Sequence, residues 1–185
     1  QQLSAMPELK WLINKNNTLQ GGVWLSKGLR HIPSFNTISN RIQQIDESER
    51  TSINWQYSQN KILNYLKVAQ FTERLNYSDS ISRIDSKSNM LTRMIEDDLY
   101  IKWNNQHTLN LGFNYTKNQG STESYTGSKF IERYSFVVSH RDVFLNEKLT
   151  TNAIVRLEHT SSNLNPITYN FGAEYNPYKK LLFKL

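Results

Sequence analysis

The feature that most constrains this chain is a strict alternation of short and long links between segments whose hydrophobicity repeats every second residue. The repeat is clearest where Leu109, Leu111, Phe113 and Tyr115 alternate with Asn110, Gly112 and Asn114. It recurs where Ile167, Tyr169, Phe171, Ala173 and Tyr175 alternate with polar or small residues, and where Ile53, Trp55 and Tyr57 do the same. A period of two places one residue set on each face of a strand, so these segments predict two-faced β-structure. Residues 8–13, 18–26, 62–76, 88–103, 129–140 and 149–159 are further strands, supported by aromatic and β-branched content. Within them, 62–69 also admits a short amphipathic helical turn.

Short links are expected at 14–17, 58–61, 104–106, 141–148 and 177–180. Longer links rich in Ser, Asn, Thr and Gly fall between them at 27–46, 77–87, 117–128 and 160–166. Antiparallel neighbours joined this way put every short turn on one rim and every long loop on the other. That sorting is what a transmembrane β-barrel of a bacterial outer membrane requires, with small turns toward the periplasm and long loops outside. A soluble sandwich has no reason to sort its loops. The predicted fold is therefore all-β, an antiparallel up-and-down barrel segment of about nine to ten strands in one domain, residues 1–185. A mean hydropathy of −0.64 and the absence of any run of about 18 apolar residues exclude a membrane-spanning helix and leave half-apolar barrel strands untouched.

Aromatic placement agrees. Trp11, Tyr57, Trp103, Tyr175 and Tyr178 sit beside short turns, while Tyr77, Tyr115, Tyr125 and Phe130 lie at or near long links. Rings with a polar tip favour the headgroup level, so the two groups predict two interfacial belts against outer-membrane lipid. The same rings would serve a packed core. Glu96, Asp97 and Asp98 cut against the pattern, because three consecutive acids place charge on both faces and one of them toward lipid. Lys67 poses the same difficulty and pairs with that acid only if the two are neighbours.

Little in the sequence points to chemistry. His31, His107, His140 and His159 fall in different elements without the spacing that brings two imidazoles to one ion, so no metal site is expected. There is no nucleophile elbow, phosphate-binding glycine loop or catalytic histidine arrangement, and the acids at 96–98 read as wall charges in a wet lumen. An enzyme is not expected, nor any cofactor. Gly21 and Gly22 suggest a bulge or bend. The absence of cysteine leaves the compartment open. Although the net charge is +6, Lys and Arg are scattered, which argues against nucleic-acid binding. The chain opens on Gln1 and ends on what reads as a strand, as a piece of a longer protein does.

Several stretches resemble the barrel region of TonB-dependent outer-membrane receptors, particularly the Bacteroidetes type similar to cobalamin transporters. They are residues 23–33 (VWLSKGLRHIP), 75–81 (LNYSDSI) with 84–87 (IDSK), 125–129 (YTGSK), and 170–177 (NFGAEYNP) leading into 180–185 (KLLFKL). The resemblance implies a large barrel closed by a plug domain that this chain does not contain. It also implies import of a scarce nutrient, cobalamin or an iron chelate, with energy passed through TonB to the plug. No functional residue carries over by position. Candidate ligand contacts are residues of the long links, where a bulky substrate first meets a barrel: Arg30, His31, Phe35, Tyr77, Asp79, Tyr125 and Lys129. Two other readings are a soluble or surface-attached β-sandwich that binds carbohydrate or protein, and an enzyme or adhesin barrel.

Overall fold

The computed structural model describes residues 1–32, 42–80, 83–104, 106–123, 126–161, 163–178 and 181–184. Its regular structure is strand throughout: β1 (Gln2–Ala5), β2 (Glu8–Asn14), β3 (Asn17–His31), β4 (Ile42–Gln59), β5 (Ile62–Asp79), β6 (Ile84–Lys102), β7 (His107–Thr122), β8 (Ser128–Phe144), β9 (Leu149–Thr160), β10 (Asn163–Leu164), β11 (Thr168–Tyr178) and β12 (Leu181–Lys184). They form one 12-stranded antiparallel sheet, crossed in the order β1, β3, β4, β5, β6, β7, β8, β9, β11, β12. Off this path, β2 pairs with β3 beside β1, and β10 folds back on β9. β1 and β2 are two halves of one edge strand interrupted at Met6 and Pro7. Pro7 has no N–H to give the ladder, but its carbonyl accepts from Val23 N at 3.1 Å. Counted so, and with the two-residue β10 left aside, ten strands follow one another across the sheet, against the expected nine to ten. Among the described residues no second sheet packs on the first and 62–69 is strand, which removes the sandwich and the helical turn.

Side-chain chemistry explains the short turns. Asn14 Oδ1 accepts from Asn16 N at 2.9 Å and from Asn17 Nδ2 at 3.0 Å. Asn104 Oδ1 likewise accepts from Gln106 N and His107 N at 2.8 and 2.9 Å. Asn60, at φ 50°, closes the β4–β5 turn in the left-handed region, where asparagine strains less than most residues. Leu145, Asn146 and Glu147 all adopt positive φ between β8 and β9.

The long links are shorter than the sequence suggests, because strands continue into them. β3 runs to His31 and β4 begins at Ile42, inside the expected 27–46 link; β5 runs to Asp79, β6 starts at Ile84, and β7 reaches Thr122. β6 spans 19 residues, against the roughly 9–11 that cross a hydrocarbon layer.

Register sorts side chains into two faces. One cross-strand row runs Leu19, Trp55, Leu66, Asp97, Phe113, Phe136, Leu157, and the next runs Gly21, Ile53, Val68, Ile95, Tyr115, Tyr134, His159. This apolar face is open: Ile53 and Phe136 are each 53% exposed and Phe171 62%. The buried residues Ala69, Asp79, Thr116, Ser135 and Val143 all have the opposite parity. Crowding of that face marks it as concave, so the apolar face is convex. Nothing resembling an interior core exists among the described residues; no side chain is fully buried. Burying an apolar side chain contributes about 1.5–3 kcal/mol, and here that stabilisation is available only if something apolar covers the convex face.

Candidate functional site

The convex band ends sharply toward the long-link rim. Directly beyond Tyr115 and Tyr134, whose rings lie 4.8 Å apart, the next row reads Thr51, Gln70, Arg93, Lys117, Glu132. Lys117 and Glu132 pair at 2.7 Å, and two rows further Lys27 and Glu47 pair at 2.6 Å. The Lys27 ammonium, by hydrogen bond and charge, holds the Glu47 carboxyl below its ordinary range. At the short-turn end the convex face carries Trp11, Tyr57, Trp103 and Tyr175. Tyr115 lies on the convex face toward the long-link rim, whereas Tyr77 faces the concave side. Tyr178 follows a register shift in β11 and is 74% exposed.

The concave wall is polar. Lys67 and Glu96 are register partners there, 3.7 Å apart, and Asn114 Nδ2 donates to Glu96 Oε1 at 3.1 Å. Asp98 shares the face opposite Gly112, where a Cβ would stand 3.0 Å from Asp98 Oδ1; the glycine leaves the space the carboxylate fills. Asp97 is the acid on the convex face, and Asn64 Nδ2 donates to its Oδ1 at 2.7 Å. A hollow of about 500 Å³ is lined by Tyr100, Asn110, Ser139, Arg141, Asn152 and Glu174 near the short turns.

Toward the long-link rim a second hollow of about 470 Å³ is lined on this face by Arg30, Asp46, Glu73, Leu75, Ser88 and Met90. Of the expected contact residues, Arg30 and Tyr77 share one concave row through Gln44, and Asp79 lies on the same side one step further. Each is on a strand, not in a loop. Arg30 is already engaged: Nε donates to Asp46 Oδ2 at 2.9 Å, and Nη2 pairs with the same oxygen. Asp79 is buried. Lys129 is exposed at the start of β8, on the concave side. His31 turns to the convex face and does not join the group. Phe35 and Tyr125 lie outside the described residues.

A second group on the concave face is one that no single stretch of sequence reveals. Trp24, Arg50 and Phe71 are register partners on β3, β4 and β5. The Arg50 guanidinium carbon lies 4.6 Å from the Trp24 ring centre and 5.8 Å from that of Phe71, and Nη2 meets Glu73 Oε1 at 3.0 Å. Alternate parity alone does not say which strands meet, so the aromatic clamp was hidden until register was known. Replacement of Arg50 by Ala is expected to lower unfolding free energy in micelles by about 1–2 kcal/mol, and Arg50→Lys to recover less than half of it. Urea titration followed by tryptophan emission measures both.

Register also brings together histidines expected to stand apart. His107 lies opposite Asp142, and His140 is two residues before it on the same face. The overlooked signal was His140-x-Asp142, a spacing that puts two polar groups on one side of a strand.

No protein-family model and no curated protein matches the chain. Solved structures do. The siderophore receptor PirA from Pseudomonas aeruginosa superposes with TM-score 0.82 at 12% identity, over 95% of this chain and 30% of that one. The ferric enterobactin receptor PfeA from the same organism gives 0.82 at 9%, over 99% and 32%. The outer membrane transporter YddB from Escherichia coli gives 0.76 at 11%, over 93% and 29%. The chain thus spans about a third of the length of these proteins. At such identities the likeness establishes the fold: this antiparallel sheet superposes on a section of the barrel wall of these proteins.

Proposed function

We propose that the chain is part of the wall of a TonB-dependent outer-membrane transporter that imports a scarce nutrient chelate, and that it carries out no enzymatic step. The observation that carries this reading is the open apolar convex face, ended by rings at both rims and by a charged row beyond Tyr115 and Tyr134. Lipid is the partner that such a face fits, and the polar concave side then lines a wet lumen. Transport energy would enter through TonB and a plug domain outside these 185 residues. Between the two cargo classes implied by the sequence, a ferric chelate is favoured over cobalamin, because the similar structures include a siderophore receptor, a ferric enterobactin receptor and an iron transporter. Arg30, Tyr77 and Lys129 are the ligand contacts we assign to the rim, with His31 set aside by its orientation.

Deletion of the gene, with complementation, tests the transport reading. Growth lost on ferric chelates as sole iron source and restored by the plasmid copy is the expected result. Loss confined to cobalamin-dependent growth would reassign the cargo, and normal growth on both would overturn transport. The membrane reading has its own check at Asp97, the one acid in the apolar rows beside Phe113. Asp97→Leu is expected to stabilise the protein in micelles by about 1 kcal/mol, since a carboxylate facing lipid is costly even when an amide partners it. Lowered or unchanged stability would mean that this row does not face lipid.

A further inference from the structure

On the convex face at the short-turn rim, Asp142 sits between two imidazoles. His107 Nδ1 is 2.5 Å from Asp142 Oδ1 and His140 Nδ1 is 3.2 Å from Asp142 Oδ2. The rings are nearly parallel, 4° apart, with centres at 6.3 Å. One ligating atom from each of the three residues falls within 4.8 Å of the others. Trp103 stands against His140 at 5.8 Å and Phe144 against His107 at 6.2 Å, walling the group at two sides. Neighbouring register positions on this face are Ile101, Leu109, Thr151 and Ala153, none of them charged. Among the described residues no lysine or arginine pairs with Asp142.

We propose that His107, His140 and Asp142 bind a divalent transition-metal ion, with Zn²⁺ the best match. Two neutral imidazoles and one carboxylate are a borderline-soft set with net charge −1, suited to zinc, nickel or copper and poorly suited to calcium or magnesium. An ion about 2.0–2.1 Å from each ligand needs its ligand atoms about 3.3 Å apart. The two imidazoles meet different oxygens of Asp142: the 3.2 Å contact already has this spacing, the 2.5 Å contact has to open by under an ångström, and the widest pair, within 4.8 Å, has to close by about 1.5 Å or less for one ion to hold all three. Side chains 35%, 19% and 38% exposed leave a path for the ion and positions for water. The ion would fasten the start of β7 to the end of β8 at the rim, and its binding is independent of which nutrient is carried.

The test is calorimetric titration of ZnCl₂ into the full-length protein in detergent after chelator treatment. One saturable site is expected, weakened more than about tenfold by His107→Ala and by His140→Ala, since loss of a direct ligand exceeds loss of a supporting one. His159→Ala, on the same face but opposite Tyr134, six residues along β8 from His140, should leave it intact. Copper should quench part of the tryptophan emission, and that part should vanish in Trp103→Phe. A heat-dependent gel-mobility shift confirms that each variant is folded. Absence of saturable heat, or heat unchanged in the His107→Ala/His140→Ala double variant, would overturn the site and leave the three residues sharing protons only.

Discussion

Phe136→Arg is expected to lower the stability of the protein in micelles or bilayers by about 2–4 kcal/mol, while Gln56→Arg changes it by less than about 0.5 kcal/mol. Phe136 lies in the middle of the convex rows, 53% exposed, its ring centre 4.9 Å from that of its cross-strand partner Phe113. Gln56 lies on the concave face, also exposed. By surface accessibility alone the two positions look equally tolerant. In water, an exposed phenylalanine replaced by arginine would be neutral or would improve solubility. Against hydrocarbon, a guanidinium near the midplane must drag water or headgroups toward it, and that is the origin of the penalty. Urea unfolding in micelles gives both numbers. Equal, small effects would mean that the convex face is wet, and the membrane reading would fall with it.

The second large effect concerns the edges. β1 with β2 forms one border of the sheet and the four-residue β12 the other, and among the described residues neither has a further strand beside it. Free strand borders recruit other chains, and a ten-step arc with no core has little else to hold it in water. The 185 residues expressed alone are therefore expected to aggregate in buffer. In micelles, when co-refolded with the remainder of the barrel, they should show strand circular dichroism and a heat-dependent mobility shift. A monodisperse β protein melting cooperatively in buffer without detergent is the outcome that sinks this expectation.

Within the apolar band the sequence was readable, because one wet and one apolar face force strict alternation, as at Leu109 to Tyr115. Beyond the charged row both faces are wet, and the alternation that betrays a strand fades. Gly28 to His31 and Gln43 to Asp46 thus read as loop, although they pair residue for residue across β3 and β4. Which way a candidate contact points was in principle legible from parity: counting from Trp24 puts Arg30 on one side and His31 on the other. What no count within one strand supplies is which rows meet across strands. The Lys67–Glu96 pair, the Arg50 clamp and the His107, His140 and Asp142 group all needed the register, which turn geometry fixes only after the strand ends are known.

The strand extensions past Tyr115 and Tyr134 have an immunological consequence. If this rim faces the outside of a cell, the described residues that antibodies meet there include laddered sheet. Along a single strand, neighbouring residues such as Arg30 and His31 show opposite sides, so a synthetic peptide displays together what the folded wall keeps apart. Surface epitopes on this wall are discontinuous, drawn from rows such as Leu29, Ile45 and Asn76, and sera raised against linear peptides from it should bind the folded protein poorly.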